Sequence, residues 1–334
     1  MPGIGVISNR NARLNKLYPK IKDRMAFVVG RSGELVSTGS LDDTRQTLEA
    51  FMDADIDMLA ISGGDGTAHR TIEIAIDVYG EHELPPILLL PTGTQNMVPN
   101  SLGIRNSGVS TLLLAQAYYR HNLPMKCLRR NMLKVNDHYS FMLGIGIAPR
   151  FLEEYYKRGD TTHLGAAKLV GEYALGAFRK TRAAEELVAP MNVSYRVDGA
   201  GWRSKVFHTI FCSFVEELSL RFKVFPRAGW EEGLFEFYAM EGPAYWVAKI
   251  VPQLWIGSLR RLKGVSRSLC RSVEIQLERA EPYTLDGEIY EPQDKFSISA
   301  GPELKFVIPG IRFTRTDPRL RYDTIGPWEM RFLV

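Results

Sequence analysis

Met58-Leu59-Ala60-Ile61-Ser62-Gly63-Gly64-Asp65-Gly66-Thr67 is the stretch on which the reading of the fold turns. Met58 to Ile61 has the length and apolar character of a buried strand. From Thr67 to Tyr79 the pattern is helical, with Ile72, Ala75, Ile76 and Tyr79 on one stripe. The three glycines between them let the backbone turn sharply and approach a ligand, and Thr67 is the expected helix cap. Amides at a helix N-terminus aimed into such a loop suit phosphate. Asp65 would be repelled by phosphate unless a Mg²⁺ or a hydrogen-bonding network intervenes. A plain glycine-rich turn capped by Asp65 uses the same residues.

The construction repeats on either side. Ile87 to Leu90 reads as a strand running into Pro91-Thr92-Gly93-Thr94-Gln95-Asn96, and Ile4 to Ser8 as a strand running into Asn9-Arg10-Asn11-Ala12-Arg13. Arg10 or Arg13 can pair with phosphate or simply face solvent. Leu41 to Met52 is helical, with Ser40 as N-cap and Leu41, Leu48 and Phe51 on one face, and Ser110 to Tyr119 is a further helix. Strand, loop and helix in repeated order predict an α/β layer with a mostly parallel sheet, whose ligands sit at the carboxyl ends of the strands.

Beyond Leu123 the pattern becomes β-rich. Strand pairs are expected in Met132 to Ile147 around Asn136-Asp137 and in Met191 to Phe214 around Asp198-Gly199. Further strands are expected at Leu234 to Ala239, Val273 to Leu277, Phe296 to Ser299 and Leu304 to Ile308. Helices near Gly165 to Phe178 and Tyr245 to Leu262 interrupt them. The expected fold class is therefore α/β plus β. An α/β nucleotide-binding domain over 1–125 precedes an antiparallel β-sandwich over 126–310, and a tail over 311–334 follows, with a return to the first domain open to it.

The chain's 334 residues, 45% hydrophobic and 24% charged, are enough for two domains with real cores. Three scattered cysteines exclude a disulfide framework and point to a reducing compartment. A net charge of +4 is too small to indicate nucleic acid. Its distribution is uneven: Arg120 to Lys134 and Gly242 to Val273 hold five and six Lys/Arg and no acid. With no signal peptide and no membrane span, the expectation is a cytoplasmic protein, at most peripheral at the inner face of the membrane. The stretch Tyr245 to Leu262, carrying Trp246, Trp255 and Lys249, either lies on an anionic leaflet or packs in the core.

Late in the chain Thr284-Leu285-Asp286-Gly287-Glu288-Ile289 offers two carboxylates. If extended, it projects Asp286 and Glu288 from one face, where one can accept a proton while the other orients it. Asp-Gly is equally a hairpin turn, and the two readings stand even. Gly144-Ile145-Gly146 begins like a dinucleotide fingerprint but meets Pro149 instead of a third glycine. The six histidines show no metal spacing, and His69 reads as a surface or packing residue.

Gly63-Gly64-Asp65-Gly66-Thr67, then Pro91 to Asn96, then Asp286-Gly287-Glu288 together resemble the bacterial diacylglycerol kinase and sphingosine kinase family of soluble lipid kinases. The resemblance implies a two-domain, ATP- and Mg²⁺-dependent kinase with its active site in the cleft between the domains. ATP would contact Asn9, Thr38, Gly63, Gly64, Asp65, Gly66, Thr67, Thr94 and Asn96. Asp286 and Glu288 would form the acid-base pair, with Asp65 in the catalytic set. A metal would fall on Gly229, Glu232 and Leu234, the outer two through backbone carbonyls. The acceptor would be a lipid at the membrane surface, and a homodimer would fit the family. The family's Asn-Pro-x-Ser-Gly opening is here Asn9-Arg10-Asn11-Ala12-Arg13, its acidic metal position is Glu232 instead of Asp, and Met97 and Pro99 also depart from its pattern. An NAD kinase-like enzyme acting on a soluble acceptor, and a non-catalytic lipid- or nucleotide-binding protein, are the alternatives.

Overall fold

The computed structural model describes residues 3–12, 18, 20–30, 32–93, 96–104, 106–159, 162–218, 222–257, 262–310 and 321–326. Two compact units divide the chain: Met1–Arg130 with Glu303–Val334, and Asn131–Pro302. The fold is mixed, with a parallel α/β region and an antiparallel region.

The first unit opens with β1 (Ile4–Asn9), α1 (Lys20–Val29), β2 (Gly33–Thr38), α2 (Leu41–Asp53), β3 (Met58–Gly63), α3 (Asp65–Tyr79), β4 (Ile87–Pro91), α4 (Met97–Ser101) and α5 (Gly108–Arg120). Its strands run parallel in the order β2-β1-β3-β4. The chain steps from β1 out to β2, then crosses back over β1 to β3. That reversal is a topological switch point, and the crevice beyond the carboxyl ends of β1 and β3 is where such sheets take ligands.

The sequence pattern predicts neither α1 nor β2, so the strand at Met58 is the third, not the second. Both missed elements are weakly patterned: α1 buries only Met25 and Val29, and most of β2 is half-buried. Ser40 caps α2 as expected, in a reciprocal box in which its hydroxyl accepts from Asp43 N (3.0 Å) and Asp43 accepts from Ser40 N (3.2 Å). A bond from Gly39 N, with those from Ser40, holds the Asp43 carboxyl below its usual range. Leu48 and Phe51 enter the core, but Leu41, in the exposed first turn, stays 56% accessible.

In the second unit the chain enters along β5 (Met125–Val135) and continues through β6 (His138–Ser140), β7 (Met142–Gly146), α6 (Ile147–Lys157), α7 (His163–Phe178) and α8 (Arg182–Leu187). It goes on through β8 (Met191–Val197), β9 (Arg203–Phe207), β10 (Thr209–Ser213), β11 (Phe235–Met240), α9 (Ala244–Trp255), β12 (Val265–Cys270), β13 (Ser272–Leu285) and β14 (Glu288–Ile308). The order is β12-β11-β10-β7-β13-β14, with β8 and β9 branching from β13. The strand β13 pairs with β8 over Val273 to Leu277 and with β7 over Tyr283 to Leu285, with register shifts between. One long strand thus joins two sets of strands around a shared core that includes Phe207, Phe235, Phe237 and Ile275. The end of β14 returns to the first unit, where Phe306 pairs with Ile87, and β15 (Tyr322–Ile325) pairs with β5 over Met125 to Leu128.

Two expectations are corrected here. Met132 to Ile147 holds parts of three strands, and Ile147 already opens α6. The helix at Tyr245 stops at Trp255, well short of Leu262, because Gly257 takes a positive φ of 70° after the cap.

Glu236 on β11 is fully buried. Its carboxylate accepts from Arg227 N at 3.0 Å and lies 3.0 Å from the Arg267 guanidinium, yet burial still raises its pKa. A raised carboxyl holds its proton more tightly in the fold than in the unfolded chain. Its stabilising contribution is complete below the ordinary Glu range, about 4.3, and is lost as pH rises through the folded value. Urea unfolding of native protein and Glu236→Gln should therefore show their stability difference moving against the native chain as pH climbs from about 4 to 7. A difference that does not change with pH would contradict this.

Candidate active site

Parallel register brings the first unit's loops together. Asn9 lies opposite Thr38, Ser8 opposite Ser62, and Gly63 opposite Pro91, so four strand ends finish on one line. Asn9 Nδ2 donates to Thr67 Oγ1 at 2.8 Å, spanning the switch point between β1 and the start of α3. Asn9 Oδ1 also accepts from Asn11 N at 2.8 Å, which turns the chain away from the strand. Thr38 is buried at the end of β2, and its carbonyl accepts from Arg10 N at 3.1 Å.

Thr67 therefore has a different role from the one the sequence suggests. The helix begins at Asp65 with Gly64 as N-cap and no side-chain cap. A glycine N-cap has no side-chain acceptor of its own to offer, and amides at a helix N-terminus are the kind of donor set that binds an anion. Gly63 and Gly93 are required by close packing. A Cβ on Gly63 would lie 2.3 Å from the Thr67 Cβ, and one on Gly93 would lie 2.4 Å from the Gly64 Cα. Asn96 holds the second loop by accepting from Gly93 N (3.1 Å) and donating to Gly93 O (3.0 Å), at a positive φ of 49° that Asn tolerates better than most residues. Asp65 accepts from Val98 N at 3.0 Å, tying the start of α3 to α4. This carboxylate is part of a hydrogen-bonding network. Thr94 lies outside the described residues, as do Arg13 and Gln95. Ser62 and Thr92, whose hydroxyls lie 3.4 Å apart, join the cluster, although hydroxyls on adjacent strand ends carry little sequence signal.

In the second unit Asp286 and Gly287 form the hairpin turn between β13 and β14, both at positive φ (49° and 91°). This is the geometry of a two-residue type I′ connection, so the extended arrangement with Asp286 and Glu288 on one face does not occur. Glu288 pairs across the turn with Leu285 and is exposed. Asp286 is buried, and its carboxylate accepts from Phe141 N (3.0 Å) and Met142 N (2.9 Å). Tyr156 Oη donates to the Gly287 carbonyl at 3.0 Å and braces the turn from α6. Asp198-Gly199 makes the same positive-φ turn, and Asp198 likewise accepts from Arg271 N and Ser272 N. The two differ in exposure: Asp198 is open to solvent, whereas Asp286 is sealed into the strands.

Gly229, Glu232 and Leu234 lie on the loop before β11. Gly229 and Gly233 have positive φ, Gly233 N donates to Asn131 Oδ1 at 3.2 Å, and Glu232 is exposed. Among the described residues no three His, Cys, Asp or Glu side chains gather where they could hold a metal ion. Side chains thus assemble no cage for Mg²⁺, an ion that needs only one or two carboxylates when it is bound with nucleotide phosphates.

A parallel layer with a switch point, a glycine N-cap on α3 and glycine-bearing strand-end loops defines an α/β layer of the kind that takes ligands at its strand ends. Residues 5–126 match the diacylglycerol kinase catalytic domain. Solved structures with the same fold include a provisionally assigned diacylglycerol kinase from Bacillus anthracis str. Sterne, with TM-score 0.65 and 16% identity over 91% of this chain and 96% of that one. A diacylglycerol kinase from the same organism gives TM-score 0.60 and 14% identity over the same shares. No curated protein matches the chain.

Two substitutions test the site's construction. Gly93→Ala should part the loops at a stability cost of about 1–3 kcal/mol, read by the denaturant midpoint. Asp286→Ala should cost about 1–3 kcal/mol by orphaning two buried amides, and Asp286→Asn, which keeps one acceptor, should cost less.

Proposed function

We propose that the protein is an ATP-dependent lipid kinase, transferring the γ-phosphoryl group to the hydroxyl of diacylglycerol or a related lipid. The observation that carries the lipid reading is an apolar cavity of about 200 Å³ in the second unit, enclosed by α6, α7, α9 and the strands β10 and β11. Phe151, Tyr173, Ala177, Phe211, Val247 and Val251 are among its walls, and among the described residues its lining holds none that is charged. A soluble acceptor such as a dinucleotide needs hydrogen-bonding partners that this surface lacks; an acyl chain needs none.

In this reading the N-terminal amides of α3 and the Gly63-Gly64 and Gly93 loops bind the nucleotide phosphates, and Asn9 and Thr67 brace them. Transfer asks the protein mainly for positioning and charge stabilisation. Asp286 would accept the proton of the lipid hydroxyl, its carboxylate oriented by the Phe141 and Met142 amides. Mg²⁺, when bound with the nucleotide, would offset phosphate charge. Glu232, and the Gly229 and Leu234 carbonyls, are proposed as its additional contacts by family likeness.

The outer faces of α7 and α9 support a membrane-surface acceptor. Exposed positions along α7 include Leu164, Lys168, Gly171, Leu175 and Phe178, with Glu172 also exposed and paired to Arg158, and along α9 they include Tyr245, Lys249, Pro252, Trp255 and Ile256, the last at its C-cap. The two helices pack together, with their inner faces on the apolar cavity. Helices apolar on both sides, each with a lysine within the outer stripe, suit an anionic bilayer surface. No helix among the described residues is long and apolar enough to cross a membrane.

Labelled ATP with Mg²⁺ and either a lipid extract or NAD should yield labelled lipid. Labelled NADP would favour the soluble-acceptor kinase, and no transfer would favour a binding protein. Asp286→Asn should lose about 10²- to 10⁴-fold in turnover while still binding ATP; full activity would remove its assignment as base. Co-sedimentation with anionic vesicles should fall with salt and be lost in Phe178→Asp/Ile256→Asp. Undiminished binding by that variant would sink the proposed face.

A further inference from the structure

The second unit contains another cavity, of about 950 Å³, that shares no lining residue with the apolar one. It lies at the margin of the strands, bordered by β12 and by Arg203 on β9, each the last strand on its path. Tyr195, Val197 and Phe237 give it apolar surface, and Ser266 and Ser268 add hydroxyls. Arg203, Arg227 and Arg267 line it, and among the described residues no Asp or Glu does.

Two of these arginines are tied to a buried carboxylate. Glu236, behind the wall, lies 3.0 Å from the Arg267 guanidinium and accepts from Arg227 N at 3.0 Å. Arg267 also donates to the Val224 carbonyl at 2.9 Å and lies 5.4 Å from the Tyr238 ring centroid. One carboxylate therefore anchors the side chain of one arginine and the backbone of another. Three guanidinium charges against this single acid leave the site an excess of two positive charges. Preorganised arginine forks match phosphate oxygens, and more than one favours a dianion over a carboxylate.

We propose that this cavity binds a phosphate monoester, its anionic head on Arg203, Arg227 and Arg267 and any apolar body on Tyr195, Val197 and Phe237. The site stands on the second unit alone and does not depend on the kinase reading. Two sources carry this chemistry, a phosphorylated lipid and a free phosphate.

Calorimetric titration with octyl phosphate, inorganic phosphate and octanol separates them. Octyl phosphate should bind the native protein, and Arg203→Gln/Arg227→Gln should weaken it about tenfold or more. Arg267 is left in place because its removal would strand buried Glu236. Arg203→Glu, on an exposed edge position, serves as a second variant that spares the core and should also weaken binding. Inorganic phosphate binding as tightly as octyl phosphate, with the same loss in the variants, would support the site with the free anion as ligand. Octyl phosphate binding equally well to native protein and both variants, no binding at all, or octanol binding as tightly as octyl phosphate would each overturn the proposal.

Discussion

Backbone contact between the Gly64 and Gly93 loops is the constraint on which the first unit's site depends. Parallel pairing of β3 with β4 sets Gly63 beside Pro91. The chains beyond then come so close that a Cβ on Gly93 would sit 2.4 Å from the Gly64 Cα. Only glycine allows that approach, and only that approach puts the N-terminus of α3 next to the second loop. Asn9 reaches across from β1 to Thr67, so the three strand ends around the switch point act as one structure.

The second unit relies on buried carboxylates that accept from backbone amides. Asp286 does this at the β13–β14 turn and Glu236 behind β12. Burial is costly for an acid, and the hydrogen bonds offset that cost. Each also presents a rigid, oriented group close to functional chemistry: a carboxylate at the proposed acceptor site in one case, and a pair of arginines in the other.

Helices α7 and α9 show why burial has to be seen in three dimensions. Both read as helices that interrupt the strands, yet each has apolar residues on two sides. The inner set closes a cavity and the outer set faces solvent, so one pair of helices links a surface that suits lipid with an interior that suits an acyl chain.

By itself the sequence determined the α/β layer, the strand-end position of Gly63 to Thr67, the Ser40 cap and the β-rich second half. These rest on local rules: period, glycine at tight turns, and side chains that bond their own backbone. It left open whether Asp286-Gly287 is an extended pair or a turn, because both are local minima for Asp-Gly. Tertiary structure decided for the turn, since only there can the carboxylate meet the Phe141 and Met142 amides, some 145 residues away in the chain. Thr67 moved from cap to partner of Asn9 for the same reason, and α1 and β2 escaped notice because their half-buried faces carry little periodicity. The arginine cavity was invisible in the sequence, because its three guanidinium groups come from β9, β12 and the loop before β11, and only strand pairing brings them to one margin.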